Sequence, residues 1–162
     1  SVGISLNTTV AALKDRGHTF DRLYGLDLSA YFLSIAVSND DAGVEFLHAN
    51  AEAIPLCDSV VDCVTVSFMM HELPRDARKN VLSEVHRVLR PNGTIAILDL
   101  DPGRLRQYFR SSWRRWAFEA TEPHIFDYYH ANLPNELAVA GFARVETEEN
   151  DPLNSVWLAR RD

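Results

Sequence analysis

The chain has 162 residues, 46% hydrophobic and 24% charged, with a net charge of −7 and two cysteines. That is enough chain to bury a core without staples, and Cys57 and Cys63 are too few for a disulfide framework and point to a reducing compartment. The acidic balance argues against a nucleic-acid partner, whose phosphates call for a basic surface, and no apolar run reaches membrane-spanning length.

No internal repeat, low-complexity tract or linker breaks the sequence, so residues 1–162 read as a single domain. No signal peptide opens it. The first residue is Ser1 rather than Met, and residues upstream are expected. Short apolar runs rich in β-branched residues alternate with helical periodicity, the pattern of an α/β domain with a mainly parallel sheet.

The first predicted strand is Leu23 to Asp27 and the second Val44 to His48. Val61 to Phe68 and Thr94 to Leu100 are nearly continuous in apolar character, as in strands covered on both faces. Between them Ala77, Val81, Leu82, Val85, Val88 and Leu89 recur at helical spacing, with Arg78, Lys79, Glu84 and Arg87 on the polar side. Asp76 favours the N-terminus of this helix, and Pro91-Asn92-Gly93 is expected to stop it and turn into the next strand. A helix from about Asn132 to Ala140 ends at Gly141. Strands near Phe142 to Thr147 and Ser155 to Arg160 then read as an antiparallel hairpin.

Three stretches carry chemistry, each at the carboxyl end of a predicted strand, where open α/β sheets bind ligands. In Gly25-Leu26-Asp27-Leu28-Ser29 the Asp27 carboxylate either accepts hydrogen bonds from both hydroxyls of a ribose or caps the helix opening near Ser29. In His48-Ala49-Asn50-Ala51-Glu52-Ala53-Ile54-Pro55, Asn50 beside backbone N–H groups suits an adenine edge, or the stretch is an ordinary polar loop. In Ser67-Phe68-Met69-Met70-His71-Glu72-Leu73-Pro74, His71 or Glu72 either takes a proton from an acceptor or serves packing and hydrogen bonding. Cys57 and Cys63 lack zinc spacing and six scattered histidines form no ligand set, so no metal is expected; buried cysteines and surface histidines account for them.

Taken in order, GLDLS, HANAEAIPL, DCVTVSFMMHELP and EVHRVLRPNGTIAILDLDP resemble the class I S-adenosylmethionine-dependent methyltransferases, in particular the ubiquinone/menaquinone-biosynthesis C-methylases (methyltransferase type 11). GLDLSAYFLSIA and Ala120-Thr121-Glu122-Pro123 are similar to a plant and cyanobacterial branch. The resemblance implies a Rossmann-like, doubly wound and mostly parallel sheet of order 3-2-1-4-5-7-6, with S-adenosyl-L-methionine as cofactor. It places Asp27 on ribose, Leu28 on the adenosine, Asn50 and Ala51 on adenine, and Ser67, Phe68 and Met69 near the methionine moiety. Ser1 and Gly3 fall in the cofactor loop, usually D-x-G-C-[GS]-x-G, of which Gly3 matches the last glycine. The first strand, the acidic residue and the first glycine of that pattern are not in the sequence, so strand 1 of the sheet is expected to be missing and the chain to be N-terminally truncated.

Residues 103–131 are the implied lid and acceptor region. Leu105, Tyr108, Phe109, Ser112, Trp113 and Trp116 form an aromatic face, and Arg106, Arg110 and Arg114, joined by Arg104 and Arg115, a basic stripe. The stripe reads either as a nucleic-acid or anionic-membrane contact or, preferentially, as the solvated side of a covering helix. Trp113, Trp116, Tyr128 and Tyr129 are acceptor-pocket candidates, with Glu122, His124 and Asp127 the nearby ionisable groups. The expected function is methyl transfer to a small organic acceptor, with His71 as base or orienting group and Glu122 and Tyr128 behind it. The alternative is a catalytically silent methyltransferase-like domain that binds a protein partner. A nicotinamide dehydrogenase fits GLDLS but lacks a dinucleotide fingerprint. The compartment is read as cytoplasmic, or plastid where a transit peptide precedes the chain.

Overall fold

The computed structural model describes residues 4–109, 116 and 120–162. Its chain packs into two compact units, Ser1–Pro55 and Leu56–Asp162, each taken in turn below.

The first unit runs α1 (Ile4–Asp15), β1 (Tyr24–Asp27), α2 (Ala30–Ser38) and β2 (Glu45–His48). The two strands pair in parallel, with Tyr24 opposite Glu45 and Asp27 opposite His48, so their carboxyl ends lie side by side. Ser29 starts α2: its backbone is extended and its side-chain oxygen accepts from the Phe32 N–H, satisfying one of the donors a helix start leaves open. Helix α2 buries Leu33 and Ala36, and α1 buries Val10.

The second unit runs β3 (Val61–Ser67), a 3-10 turn (Met70–Glu72), α3 (Arg75–Val88), β4 (Leu89–Leu100), α4 (Pro102–Tyr108), α5 (Ile125–Tyr128), α6 (Leu133–Val139), β5 (Phe142–Glu149) and β6 (Asn154–Arg161). The sheet order is β3-β4-β6-β5, with β3 and β4 parallel and the other two pairs antiparallel. The α/β class and the terminal hairpin are as the sequence implies. The described strands hydrogen-bond into two sheets, one in each unit.

Helix α3 packs on β4 and α6 on β5. Ala77, Val81, Leu82, Val85 and Val88 of α3, Ile95 and Ile97 of β4, Leu133 and Leu137 of α6, and Trp157 of β6 are all buried. Each large aliphatic side chain among them contributes roughly 1.5–3 kcal/mol by leaving water.

Four expectations need correction here. Pro91-Asn92-Gly93 is no terminating turn: β4 already starts at Leu89, opposite Val61, and the three residues form a bulge before Thr94 meets Cys63. Asn92 there takes the left-handed conformation, at φ 64°. Strand β3 is not covered on both faces, since Cys63 and Thr65 are exposed and Val66 is its one buried residue. Both cysteines are exposed rather than buried. Arg78, assigned to the polar side of α3, is among the most buried side chains of the chain, at 1% exposure.

Helix α6 ends through Gly141, at φ 96°, whose N–H bonds the Ala138 carbonyl. A Cβ there would sit 3.0 Å from Nε2 of His86, whose ring stands edge-on to Phe142. Strain and crowding therefore act together in Gly141→Ala, which should lose about 1–2 kcal/mol of stability in urea unfolding. A loss below a few tenths would show that the turn relaxes freely.

Candidate functional site

In the first unit the predicted residues meet at the ends of the parallel pair. Asp27 closes β1, and its Oδ1 accepts the Ser29 N–H at 2.8 Å. The carboxylate thus shapes the turn into α2, while the capping oxygen belongs to Ser29. Leu28, between them, is 68% exposed, an apolar side chain held out in water beside a carboxylate. His48 at the end of β2 donates from Nε2 to the Leu28 carbonyl at 2.9 Å, and the Ala49 N–H donates to the Asp27 carbonyl. These two bonds clasp the loop carrying Asn50 and Ala51 against the end of β1. The Asn50 side chain is turned onto its own loop: Oδ1 accepts from the Glu52 N–H at 2.9 Å. Ser1 and Gly3 lie outside the described residues.

In the second unit the loop after β3 is organised by Asp99, a residue the motif reading passed over. It is fully buried near the end of β4. Its Oδ2 accepts the N–H groups of Met69 at 3.0 Å and Met70 at 2.7 Å; its Oδ1 accepts Nδ1 of His71 at 2.6 Å and the Leu100 N–H at 2.7 Å. An ionised carboxylate only accepts, so Nδ1 of His71 carries the proton. The available signal was an acid inside the apolar run TIAILDL, which a sheet tolerates only when its carboxylate is fully bonded.

His71 is itself buried, correcting the expectation that the histidines lie on the surface. Burial disfavours its charged form, but the hydrogen bond and charge of Asp99, helped by Glu72 and Glu122, outweigh this and raise its pKa above the ordinary imidazole value. Tyr128 stands edge-on to the ring, with centroids 6.2 Å apart. The Tyr128 hydroxyl donates to the Leu100 carbonyl at 2.7 Å, and burial pushes its proton affinity far up. That leaves Tyr128 an orienting wall rather than a base. The structure therefore sets Tyr128 against the His71 imidazole, and the charge of Glu122 acts on the same ring.

Phe68, at the turn out of β3, has φ 51°, where a bulky side chain is rare and strained. Its N–H bonds the Leu98 carbonyl at 2.9 Å, yet its ring is 43% exposed. Strain of this kind collects at ligand sites. Phe68→Gly should change stability by less than about 1 kcal/mol in urea unfolding, because relief of the left-handed backbone is offset by the freedom glycine adds to the unfolded chain and by the packing of the half-covered ring. A loss of about 2 kcal/mol or more would mean that the ring contributes far more than its strain costs.

Of the acceptor region, Leu105 is buried, Tyr108 half exposed and Trp116 74% exposed. Tyr129 is buried, and Arg106 donates to its carbonyl; Arg104 pairs with Glu149 and donates to the Asp151 carbonyl. Ser112, Trp113, Arg110, Arg114 and Arg115 lie outside the described residues. An open concavity of about 380 Å³, bordered by Asp101, Arg106, His130 and Trp157, includes none of the predicted site residues.

A family model described as a methyltransferase domain matches residues 1–97. The chain is similar to the ubiquinone/menaquinone biosynthesis C-methyltransferase of Klebsiella pneumoniae, 38% identical over 56 residues, which is 35% of this chain and 22% of that protein. It is also similar to the demethylmenaquinone methyltransferase of Bacillus licheniformis, 33% identical over 90 residues, 54% of this chain and 38% of that one. The matched stretches thus span less than two fifths of the length of either relative. The crystal structure of an S-adenosylmethionine-dependent methyltransferase from Mesorhizobium loti covers 90% of this chain and 83% of its own at a TM-score of 0.65 and 19% identity, a likeness of fold.

Proposed function

We propose, from the premise that this chain belongs to the methyltransferase domain family and so to the class I S-adenosylmethionine-dependent methyltransferases, that it transfers a methyl group to a small organic acceptor. The observation that carries the reading is the end of β1, where the Asp27 carboxylate and the exposed Leu28 side chain adjoin the clasped loop of Asn50 and Ala51. That donor set fits the cofactor's nucleoside: a carboxylate for two ribose hydroxyls, an apolar side chain for a purine face, and amide groups for its edge.

In the first unit Asp27 receives ribose, Leu28 packs on the adenosine, and Asn50 with Ala51 holds adenine. In the second unit Ser67, Phe68 and Met69 lead into the turn that carries His71. When bound, S-adenosylmethionine supplies an electrophilic methyl on a sulfonium. The chain's part is then alignment and exclusion of water, plus a base where the attacking atom carries a proton. His71 is that base or orienting group, with Glu122 adding charge and Tyr128 fixing the ring.

The catalytically silent alternative is not favoured, since a partner-binding module needs neither a buried His–Asp pair nor a strained aromatic at a strand end. No helix among the described residues is long and apolar enough to cross a membrane. Calorimetric titration of the protein with S-adenosylhomocysteine tests the reading: one site with a measurable heat is expected, and no binding at millimolar ligand would sink it.

A further inference from the structure

We propose that Asp99 is a positioning residue for this transfer: it holds His71 in the tautomer with the proton on Nδ1, leaving Nε2 to take a proton from an acceptor whose attacking atom carries one. The inference rests on the methyltransferase reading above for the acceptor, and on the geometry alone for the tautomer.

Asp99 is fully buried in an otherwise apolar stretch of β4. A carboxylate stripped of water is costly, and here four donors hold it. Those donors divide by oxygen. Oδ2 takes the N–H groups of Met69 and Met70 and so shapes the turn behind the strained Phe68. Oδ1 takes the Leu100 N–H at 2.7 Å. Oδ1 also reaches His71 at 2.6 Å, a short charge-assisted bond that accounts for the ring's burial without a second partner for Nε2 among the described residues. Among the described residues the charged groups acting on the imidazole are Asp99 from β4, Glu72 from the ring's own turn and Glu122 ahead of α5, all acidic. Tyr128 from α5 offers its ring edge and keeps its hydroxyl on Leu100.

With S-adenosylmethionine bound, the acceptor's attacking atom would bond to the methyl carbon as the carbon–sulfur bond breaks, its electron pair going to sulfur. The acceptor's proton passes to Nε2 of His71. The resulting imidazolium keeps its Nδ1–H on Asp99, whose negative charge balances it until the proton returns to water.

The test reads the imidazole directly, by long-range nitrogen–proton correlation NMR of the protein across pH, with Asp99→Asn beside the unaltered chain. Above its titration, His71 in the unaltered protein should show the Nδ1–H pattern, with a pKa above the usual value of about 6.5. In D99N the amide oxygen can still serve Met69 and Met70, while its NH2 faces the ring and leaves the Leu100 N–H without its acceptor. The tautomer should then switch to Nε2–H and the pKa fall below about 6.5, since burial remains and the charge is gone. S-adenosylhomocysteine affinity, titrated in parallel, should stay within about threefold. An Nε2–H ring in the unaltered protein overturns the proposal, and that measurement decides even if D99N fails to fold. A D99N protein with unchanged tautomer and pKa, or one that loses S-adenosylhomocysteine binding, overturns it too. No S-adenosylhomocysteine binding by the unaltered protein would instead remove the methyltransferase reading, whatever the ring shows.

Discussion

Replacing Asp27 with alanine should weaken S-adenosylhomocysteine binding at least a hundredfold, on the reading that its carboxylate accepts from both ribose hydroxyls. Hydrogen bonds to a charged group contribute about 1.5–3 kcal/mol each, so losing two exceeds the roughly 2.8 kcal/mol that a hundredfold change represents. Asp27 also has a structural duty, since its Oδ1 accepts the Ser29 N–H at the entrance to α2. Loss of that bond alone costs stability of about 1 kcal/mol and would not by itself remove a ligand. Asp27→Asn separates the two effects: the amide oxygen can keep the Ser29 N–H, while its NH2 presents a donor where the ribose also presents donors. D27N should therefore unfold like the unaltered protein and still bind at least tenfold more weakly. Calorimetry with chemical denaturation on both variants gives the answer; D27A affinity equal to the unaltered protein's would remove Asp27 from the ribose.

How much of this was legible in the sequence varies by element. Helix α3 was, because its apolar residues repeat at helical spacing and all of them are buried. The hairpin was too, with each strand a residue or two longer than its pattern. Helix α1 was not anticipated, because ISLNTTVAALKD has little amphipathic contrast and holds Asn and two adjacent Thr, all weak helix formers. Pro91-Asn92-Gly93 carries turn chemistry and does bend the chain, but inside a bulge, a distinction that only the partner strand decides.

The site divides in the same way. Residues at strand ends could be named, since the ends of apolar runs are visible. Their partners could not, because the bond from His71 to Asp99 spans 28 residues and that from Arg78 to Glu136 spans 58. Arg78 was misplaced for a related reason. Periodicity assigns a charged residue to the polar face, and only the acids arriving from α5 and α6 turn that face inward.

Replacing Arg78 should cost the fold heavily. Its guanidinium forks onto Glu136, with Nε to Oε2 and Nη2 to Oε1 both at 3.1 Å. Its Nη1 donates to Asp127 at 3.0 Å and to the Leu73 carbonyl at 2.9 Å, and its Cζ stands 5.6 Å from the centre of the Tyr128 ring. One cation thus joins the end of the His71 turn to α5 and α6. Arg78→Leu fills much of the space but leaves the Glu136 carboxylate, 18% exposed, and the Leu73 carbonyl without their donor. Removing one member of a buried pair typically costs 3–5 kcal/mol. Asp127, at 44% exposure, can turn to water, which places the expected loss near the lower end, about 3 kcal/mol. Arg78→Lys keeps the charge but not the planar fork and should lose about half as much. The order of urea stabilities should be unaltered, then R78K, then R78L. In R78L the His71 ring should also lose its fixed Tyr128 edge, read as exchange broadening of its NMR signals. R78L as stable as R78K would mean that the fork onto Glu136 contributes little, and that apolar packing alone holds α5 and α6 beside the turn that carries His71.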